Sequence, residues 1–500
     1  MRNSSDVMYG ISFAASCSLL SFSLIARLIN SMEVMSLSAT NSSTCCLRDE
    51  GIRIVTCKSF SGFDMHMCFF LKFLFSGNVC DFQRMSLCRL NVNMMFIKNF
   101  ICGENEVMSK AEDILDKTKR GEPEAKKWKV VVGIVVGLVL VFIIFLPFMG
   151  MGYISGETVD YDFIINYQRS ASDDVLIGTA YNQQTTYLKL ENTNYYRPTI
   201  CALGTSRVLQ FKDIFFSESF YNAGLGVNNI DEYQNFINNL DVASYPDVLI
   251  ISLDSWFFND EWNGILSSDY HEIVKQDVHP YQIRDLVFGY MSGDWNFPDI
   301  ISKKDNLIGL LAIARTEGVM KDGSYYYGYI YNNPSTGNDY QFKDTFNRID
   351  NGNMRFEYAQ DIDPNAIGEL NKFLSLCSEK NIYVVGIIPP YAPSVIDKMN
   401  SLGDNYSYLY RIYPESKHLF DKYGYELYDY TDVRYLGCDD TYFIDGFHGS
   451  DVTYLLLLID MVDSGSKLRE YTNISNLLEL FQSRYSNLII SPIDVDDGGK

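Results

Sequence analysis

Thr199-Ile-Cys-Ala-Leu-Gly-Thr-Ser-Arg-Val-Leu-Gln210 is the stretch whose reading decides the fold. Thr199 to Leu203 is a short apolar run between Pro198 and Gly204. It is too short for a helix and reads as a buried strand. Gly204-Thr205-Ser206 is then a tight turn, and Arg207 to Phe211 reads as the start of a helix. A serine on a strand-to-helix turn presents its hydroxyl at the carboxyl edge of a sheet. Its amide belongs to a helix N-terminus, where negative charge is favoured. That setting suits a nucleophile whose reaction creates an oxyanion, although many Gly-x-Ser turns are purely structural.

Outward from this turn the same alternation continues. Ser219 to Gly226 reads as a second strand ending in a glycine loop. Asn229 to Leu240 follows as a helix with Ile230, Tyr233, Phe236, Ile237 and Leu240 on one side. Pro246 to Leu253 contains a nearly continuous apolar run after a turn, the mark of a strand buried on both faces. Asp363-Pro364 opens a helix, and Asn381 to Ile388 is a strand that stops at Pro389-Pro390-Tyr391. Tyr408 to Tyr423 is helical, Tyr425 to Tyr430 is a short strand, and Asp451 to Val462 is an apolar helix. Strands alternating with helices imply an α/β domain with a mostly parallel sheet and ligands at its carboxyl edge. Residues 261–360 read as an insertion or lid, with helices over His279 to Met291 and Asn306 to Glu317 and a tyrosine-rich run from Gly323 to Tyr340.

Near the far end stands Tyr442-Phe-Ile-Asp-Gly-Phe-His-Gly-Ser-Asp451. Asp445 and His448 are three apart, so one turn of backbone brings carboxylate and imidazole together. The carboxylate then holds the ring's tautomer while the other ring nitrogen faces a serine hydroxyl. A plainer reading makes Asp445 a helix cap and His448 a surface residue.

Gly-Thr-Ser-Arg near the start of the domain and Asp-x-x-His near its end resemble the SGNH hydrolases. They resemble in particular the membrane-anchored branch that includes the D-alanyl transfer protein of teichoic-acid modification and the alginate O-acetylation proteins. The resemblance covers residues 199–463. It implies a flavodoxin-like three-layer sandwich, a Ser206–His448–Asp445 triad and no cofactor or metal. Asn222-Ala-Gly-Leu-Gly226 resembles the family's second block, whose glycine amide binds the oxyanion; Gly226 is the first choice and Gly224 the second, with Asn222 beside them. Arg207 adds positive charge near the nucleophile or braces its loop, and Tyr391 lies near the site. Asp254-Ser-Trp-Phe-Phe-Asn-Asp260 departs from the Gly-x-Asn-Asp motif of the hydrolytic members. That departure puts a side-chain oxyanion donor in doubt.

The rest of the chain sets the context. Residues 1–107 hold eight of the 11 cysteines and nine of the 17 methionines, with no sustained period. They are expected to be a spurious or disordered extension, with translation starting at Met108. Residues 108–129 form a charged segment ending Lys126-Lys127-Trp128-Lys129. Residues 130–149 then run without a charge. At ~1.5 Å per residue this spans a bilayer core of about 30 Å. Trp128 and Tyr153 flank the run as interfacial anchors, and the preceding lysines place the N-terminus inside and the C-terminal domain outside the cell membrane.

Residues 150–197 read as a stalk or extension packing on the main domain, 198–463 as the α/β domain, and 464–500 as a terminal helix and tail. Residues 130–500 carry 25 basic and 50 acidic groups, which argues against nucleic-acid binding. There is no P-loop, dinucleotide fingerprint or paired metal-ligand spacing. Cys201 and Cys377 fall in apolar patterns and read as buried thiols.

The expected function is that of a membrane-anchored, extracytoplasmic acyl esterase or O-acyltransferase acting on cell-envelope polysaccharide. The resemblance further implies a multi-spanning membrane O-acyltransferase as partner. The alternative is a non-catalytic assembly or polymer-binding protein on the same fold.

Overall fold

The computed structural model describes residues 145–172, 174–262 and 270–493, with positions 133, 134, 137 and 142 before them. The chain divides into units 1–143 and 144–500, and the fold below is that of the second. The expected extension 1–107 and basic segment 108–129 lie outside the described residues, as does most of the apolar run 130–149. The positions of that run that are described are helical. No described helix is long and apolar enough to cross a membrane.

After a helical stretch over 145–155, the elements run as follows. Helix α1 is Tyr161–Ser170, strand β1 Leu176–Ile177, α2 Thr185–Tyr196, β2 Ile200–Gly204 and β3 Phe220–Gly224. Then come α3 Glu232–Asn239, β4 Val248–Ser252, α4 Pro280–Ser292, α5 Phe297–Ile301, β5 Leu307–Ile308 and α6 Leu310–Arg315. Next are β6 Glu317–Val319, β7 Tyr325–Tyr327, α7 Gly328–Asn332, α8 Lys343–Asn351, α9 Pro364–Glu379 and β8 Tyr383–Ile388. The unit closes with α10 Pro393–Ser401, α11 Leu409–Tyr423, β9 Glu426–Asp429, α12 Asp451–Asp463 and α13 Ile474–Ser483.

The main sheet has the order β3-β2-β4-β8-β9, and every pairing in it is parallel. In chain order within the sheet this is 2-1-3-4-5, compatible with a flavodoxin-like fold. Strands β2, β3 and β4 are buried along their whole length, which explains their continuous apolar runs. Helix α9 begins where Asp363 accepts the Asn365 amide and Pro364 occupies the first turn. Helix α12 begins at Ser450, whose hydroxyl accepts the Thr453 amide. Val452, Leu455, Leu458 and Met461 of α12 are fully buried. Each such side chain contributes roughly 1.5–3 kcal/mol.

Two local readings change. Arg207 to Phe211 does not continue as a helix; only Ser206–Val208 forms a 3-10 turn. The Asn222 side-chain amide donates to the Val208 and Phe211 carbonyls at 2.7 and 2.9 Å, drawing them away from a helical ladder. Asn306 to Glu317 is likewise not one helix. Leu307 and Ile308 pair with Leu176 and Ile177, and Gly309 turns the chain at φ 93° before α6 begins.

That pairing joins two segments the sequence keeps apart. A second sheet, β5-β1-β6-β7, takes one strand from 150–197 and three from 261–360. Glu157, fully buried, fastens the join. Its carboxylate accepts the amides of Ala180, Tyr181, Asn182 and Leu310 at 2.7–3.2 Å. The two sheets meet beside β3. The Asn222 amide donates to Asp322, and the fully buried Lys189 ammonium donates to the carbonyls of Asn222 and Gly323. Burial pulls that ammonium down to about 7.

Candidate active site

The nucleophile turn is built by constraint. β2 ends at Gly204, where a Cβ would collide with Ser252 Oγ of β4, so the two strands approach closely only with glycine there. Thr205 follows with its hydroxyl donating to Asp254 Oδ2 at 2.9 Å and accepting the Arg207 amide at 3.2 Å. Beyond the turn, the Tyr325 amide of β7 donates to the Leu209 carbonyl at 3.1 Å, so the second sheet braces the same loop. From Ile200 to Lys212, Ser206 is the one residue that is not buried. Its backbone amide has no hydrogen-bond partner among the described residues.

The loop 444–448 brings the other two groups. It closes on itself, the Ile444 amide donating to the His448 carbonyl at 2.9 Å. Asp445 Oδ1 accepts the amides of Phe447 and His448 at 3.0 and 2.8 Å. Its Oδ2 lies 2.7 Å from His448 Nδ1, and His448 Nε2 lies 2.7 Å from Ser206 Oγ. With Nδ1–H donated to the carboxylate, Nε2 is left to accept the serine proton. The His448 and Asp445 side chains are 14% and 22% exposed, sheltered yet reachable. Burial alone raises the Asp445 carboxyl. The His448 ring, through charge and hydrogen bond, and the two amides more than offset it and hold the group below the usual aspartate range. The stabilisation this carries is present above the ordinary aspartate value and is lost as pH falls through the lowered one.

A clamp outside the α/β core holds this loop. Asp339 accepts the Gly446 amide at 3.0 Å and also the Asp344 and Thr345 amides. A Cβ on Gly446 would sit 2.6 Å from two Thr345 side-chain atoms. Gly446→Ala is therefore expected to displace the histidine loop. It should slow labelling of the protein by a fluorophosphonate roughly 10- to 100-fold, with the circular dichroism spectrum unchanged. Labelling at the wild-type rate would show that the clamp does not set the geometry.

The remaining sequence-derived residues do other work. The Gly226 amide donates to the Ala223 carbonyl at 3.0 Å, and the Gly224 amide to Asn222 Oδ1 at 2.8 Å. Neither is free to face an oxyanion, because the glycine loop closes on itself as a turn. Asn222 is fully buried and shapes the nucleophile loop from behind. Tyr391 is 1% exposed, its hydroxyl paired with Ser255 at 2.5 Å. Arg207 is also buried; it braces the loop through Pro390 and Asp254 and is sandwiched near the Trp256 and Tyr391 rings. Trp256 and Phe257 are buried core residues. Cys201 and Cys377 are buried thiols, and burial pushes Cys201 up to about 12.

Sequence reading missed Asp339, Arg348 and Arg355. The Phe447 ring lies 4.3 Å from the His448 ring, Arg348 lies over Phe447, and Arg355 lies over Trp256. Arg355 forms no ion pair with any described carboxylate, and it holds φ at 78°. The one available signal was a pair of arginines in a strongly acidic chain. A cavity of about 360 Å³ lies beside the β3–α3 loop, lined by Gln183, Thr186, Gly226, Asn228, Asn235 and His271 among others; Ser206 does not line it. Among the described residues no group of three or more His, Cys, Asp or Glu is placed to hold a metal ion.

Neither protein-family models nor curated proteins gave a match to this chain.

Proposed function

We propose that this protein is a membrane-anchored serine acyl esterase or O-acyltransferase of SGNH type, acting outside the cell on cell-envelope polysaccharide. The observation that carries the reading is the continuous relay Ser206 Oγ–His448 Nε2–His448 Nδ1–Asp445 Oδ2, each link 2.7 Å. Ser206 and His448 stand 242 residues apart, and such a relay is rare unless the serine is to be deprotonated. The parallel sheet and the serine at the carboxyl end of β2 support the same reading.

The chemistry follows from these groups. Ser206 Oγ attacks the ester carbonyl and His448 Nε2 takes its proton. The unpaired Ser206 amide faces the oxyanion; such a donor is typically worth ~3 kcal/mol. Collapse breaks the ester C–O bond, and His448 gives its proton to the leaving alkoxide. An acyl-Ser206 remains. Water or a sugar hydroxyl then loses its proton to His448 and attacks the acyl carbon, and the proton returns to Ser206. Water gives hydrolysis and a sugar gives transfer. The acidic balance of 130–500 disfavours a strongly anionic polymer and leaves a neutral polyhydroxyl chain as the better fit.

The test is an assay of the full-length protein in detergent with an O-acetylated polysaccharide and with an acetyl donor. Acetate release by the protein alone is expected if water is the acceptor. Polymer acetylation only with a membrane acyltransferase present is expected if a sugar is. No acetate release by the protein alone, together with partner-dependent polymer acetylation that is unchanged in Ser206→Ala, would instead favour the non-catalytic role.

A further inference from the structure

We propose that the outward face of α4, with the end of α5, lies in the lipid headgroup layer and seats the domain on the bilayer. This rests on the anchor reading of 130–149 given above. Helix α4 carries large apolar side chains on its outward face as well as its inner one. Gln282, Leu286 and Gly289 face inward and are buried. Tyr281, Arg284, Phe288 and Met291 recur every three or four residues on the opposite side. Of these, Phe288 is 60% and Met291 75% exposed, and Ile301 at the end of α5 is 68% exposed. A water-facing helix places charges where this one places large apolar side chains.

The other side of the same elements says what covers them. Phe148 is the penultimate residue of the uncharged run 130–149. Its ring lies 5.6 Å from both Tyr290 and Phe297 and 6.2 Å from Trp295. Met151 joins the same apolar cluster, with Leu286 and Ile300 at its centre. The point where the chain leaves the run is therefore fixed against the inner side of α4 and α5. A helix with side chains is ~10 Å across. If the run crosses the bilayer, α4 is within about one helix diameter of the hydrocarbon edge.

Charge neither adds to this placement nor opposes it strongly: Arg284 is paired with Asp285 at 2.7 Å, and Lys303 and Lys304 stand among Asp294, Asp299 and Asp305. The placement rests on the exposed aromatic and apolar side chains, the kind found at a membrane–water interface. Tyr153 and Ile154, just past the run, are exposed as well.

The test places a photoreactive residue in the full-length chain, as Phe288→p-benzoyl-phenylalanine, Met291→p-benzoyl-phenylalanine and the control Val242→p-benzoyl-phenylalanine. Val242 is 80% exposed and lies on the turn before β4. The protein is reconstituted in vesicles of phosphatidylethanolamine and phosphatidylglycerol, floated on a density gradient, irradiated and examined by mass spectrometry. Lipid adducts at 288 and 291, with none at 242, are the expected result. Protein that floats but gives no lipid adduct at either position, or crosslinks only to a second copy, overturns the seating while leaving the anchor intact. Protein that fails to float overturns both.

Discussion

Ser206→Ala and His448→Ala are each expected to lower turnover roughly 10⁴-fold or more while leaving the protein folded. The two groups act as one unit. His448 without Ser206 has no hydroxyl to deprotonate, and Ser206 without His448 keeps a proton it loses only at high pH. The double variant is therefore expected to be no worse than either single one. Among the described residues the Ser206 side chain bonds only to His448, and it is partly exposed, so Ser206→Ala should stay within about 0.5 kcal/mol of wild type. His448→Ala also removes the ring that offsets burial of the Asp445 carboxylate, so it is expected to lose more stability, by roughly 1–3 kcal/mol, while remaining folded. Acetate release or polymer acetylation, measured beside a urea melt, checks both halves. Additive losses in the double variant would mean the two residues act separately.

Arg207→Met is expected to act the other way, costing about 3–5 kcal/mol of stability. Arg207 and Asp254 both have fully buried side chains, 3.7 Å apart. Burial raises the Asp254 carboxyl, and the guanidinium is the first of the groups that pull it back. Thr205 and Ser252 hydroxyls pair one oxygen at 2.9 Å, leaving Oδ1 with Arg207 alone. Without the cation, Asp254 rises further and takes up a proton in the folded state. A raised folded value favours folding at low pH and is lost as pH rises, so the deficit should be larger at neutral pH than in mild acid. Arg207→Met combined with Asp254→Leu should recover part of the loss, because an apolar pair leaves no lone charge buried. Chemical denaturation at two pH values measures this. A loss below about 1 kcal/mol would show that the pair is not a support of the nucleophile turn.

What the sequence made legible follows from how each feature is encoded. Strands β2, β4 and β8 are buried on both faces, so their apolar runs stand out without any knowledge of partners. Asp363-Pro364 marks a helix start by local chemistry alone. Asp445 and His448 are close in sequence, so their meeting needed no tertiary information, and the turn that presents Ser206, which lies against His448, is readable from its local residues. The glycines misled for a physical reason. Glycine reports a permissive backbone, but not which acceptor its amide meets, and at Gly224 and Gly226 that acceptor is internal. Tyr391 and Arg207 were expected beside the nucleophile, but both side chains are buried and pair inside the fold, with Ser255 and with Pro390 and Asp254. The second sheet was hidden because β1 and β5 are two residues each and pair across 130 positions of chain. Asp339 was hidden likewise, reaching Gly446 over a separation of 107 residues.

The central claim is that one serine hydroxyl is activated by one imidazole. Fluorophosphonate labelling of the full-length protein, followed by peptide mapping, tests it most directly. The expected result is a single adduct on the peptide carrying Ser206, absent from His448→Ala. No adduct on Ser206, or equal labelling without the histidine, would contradict it.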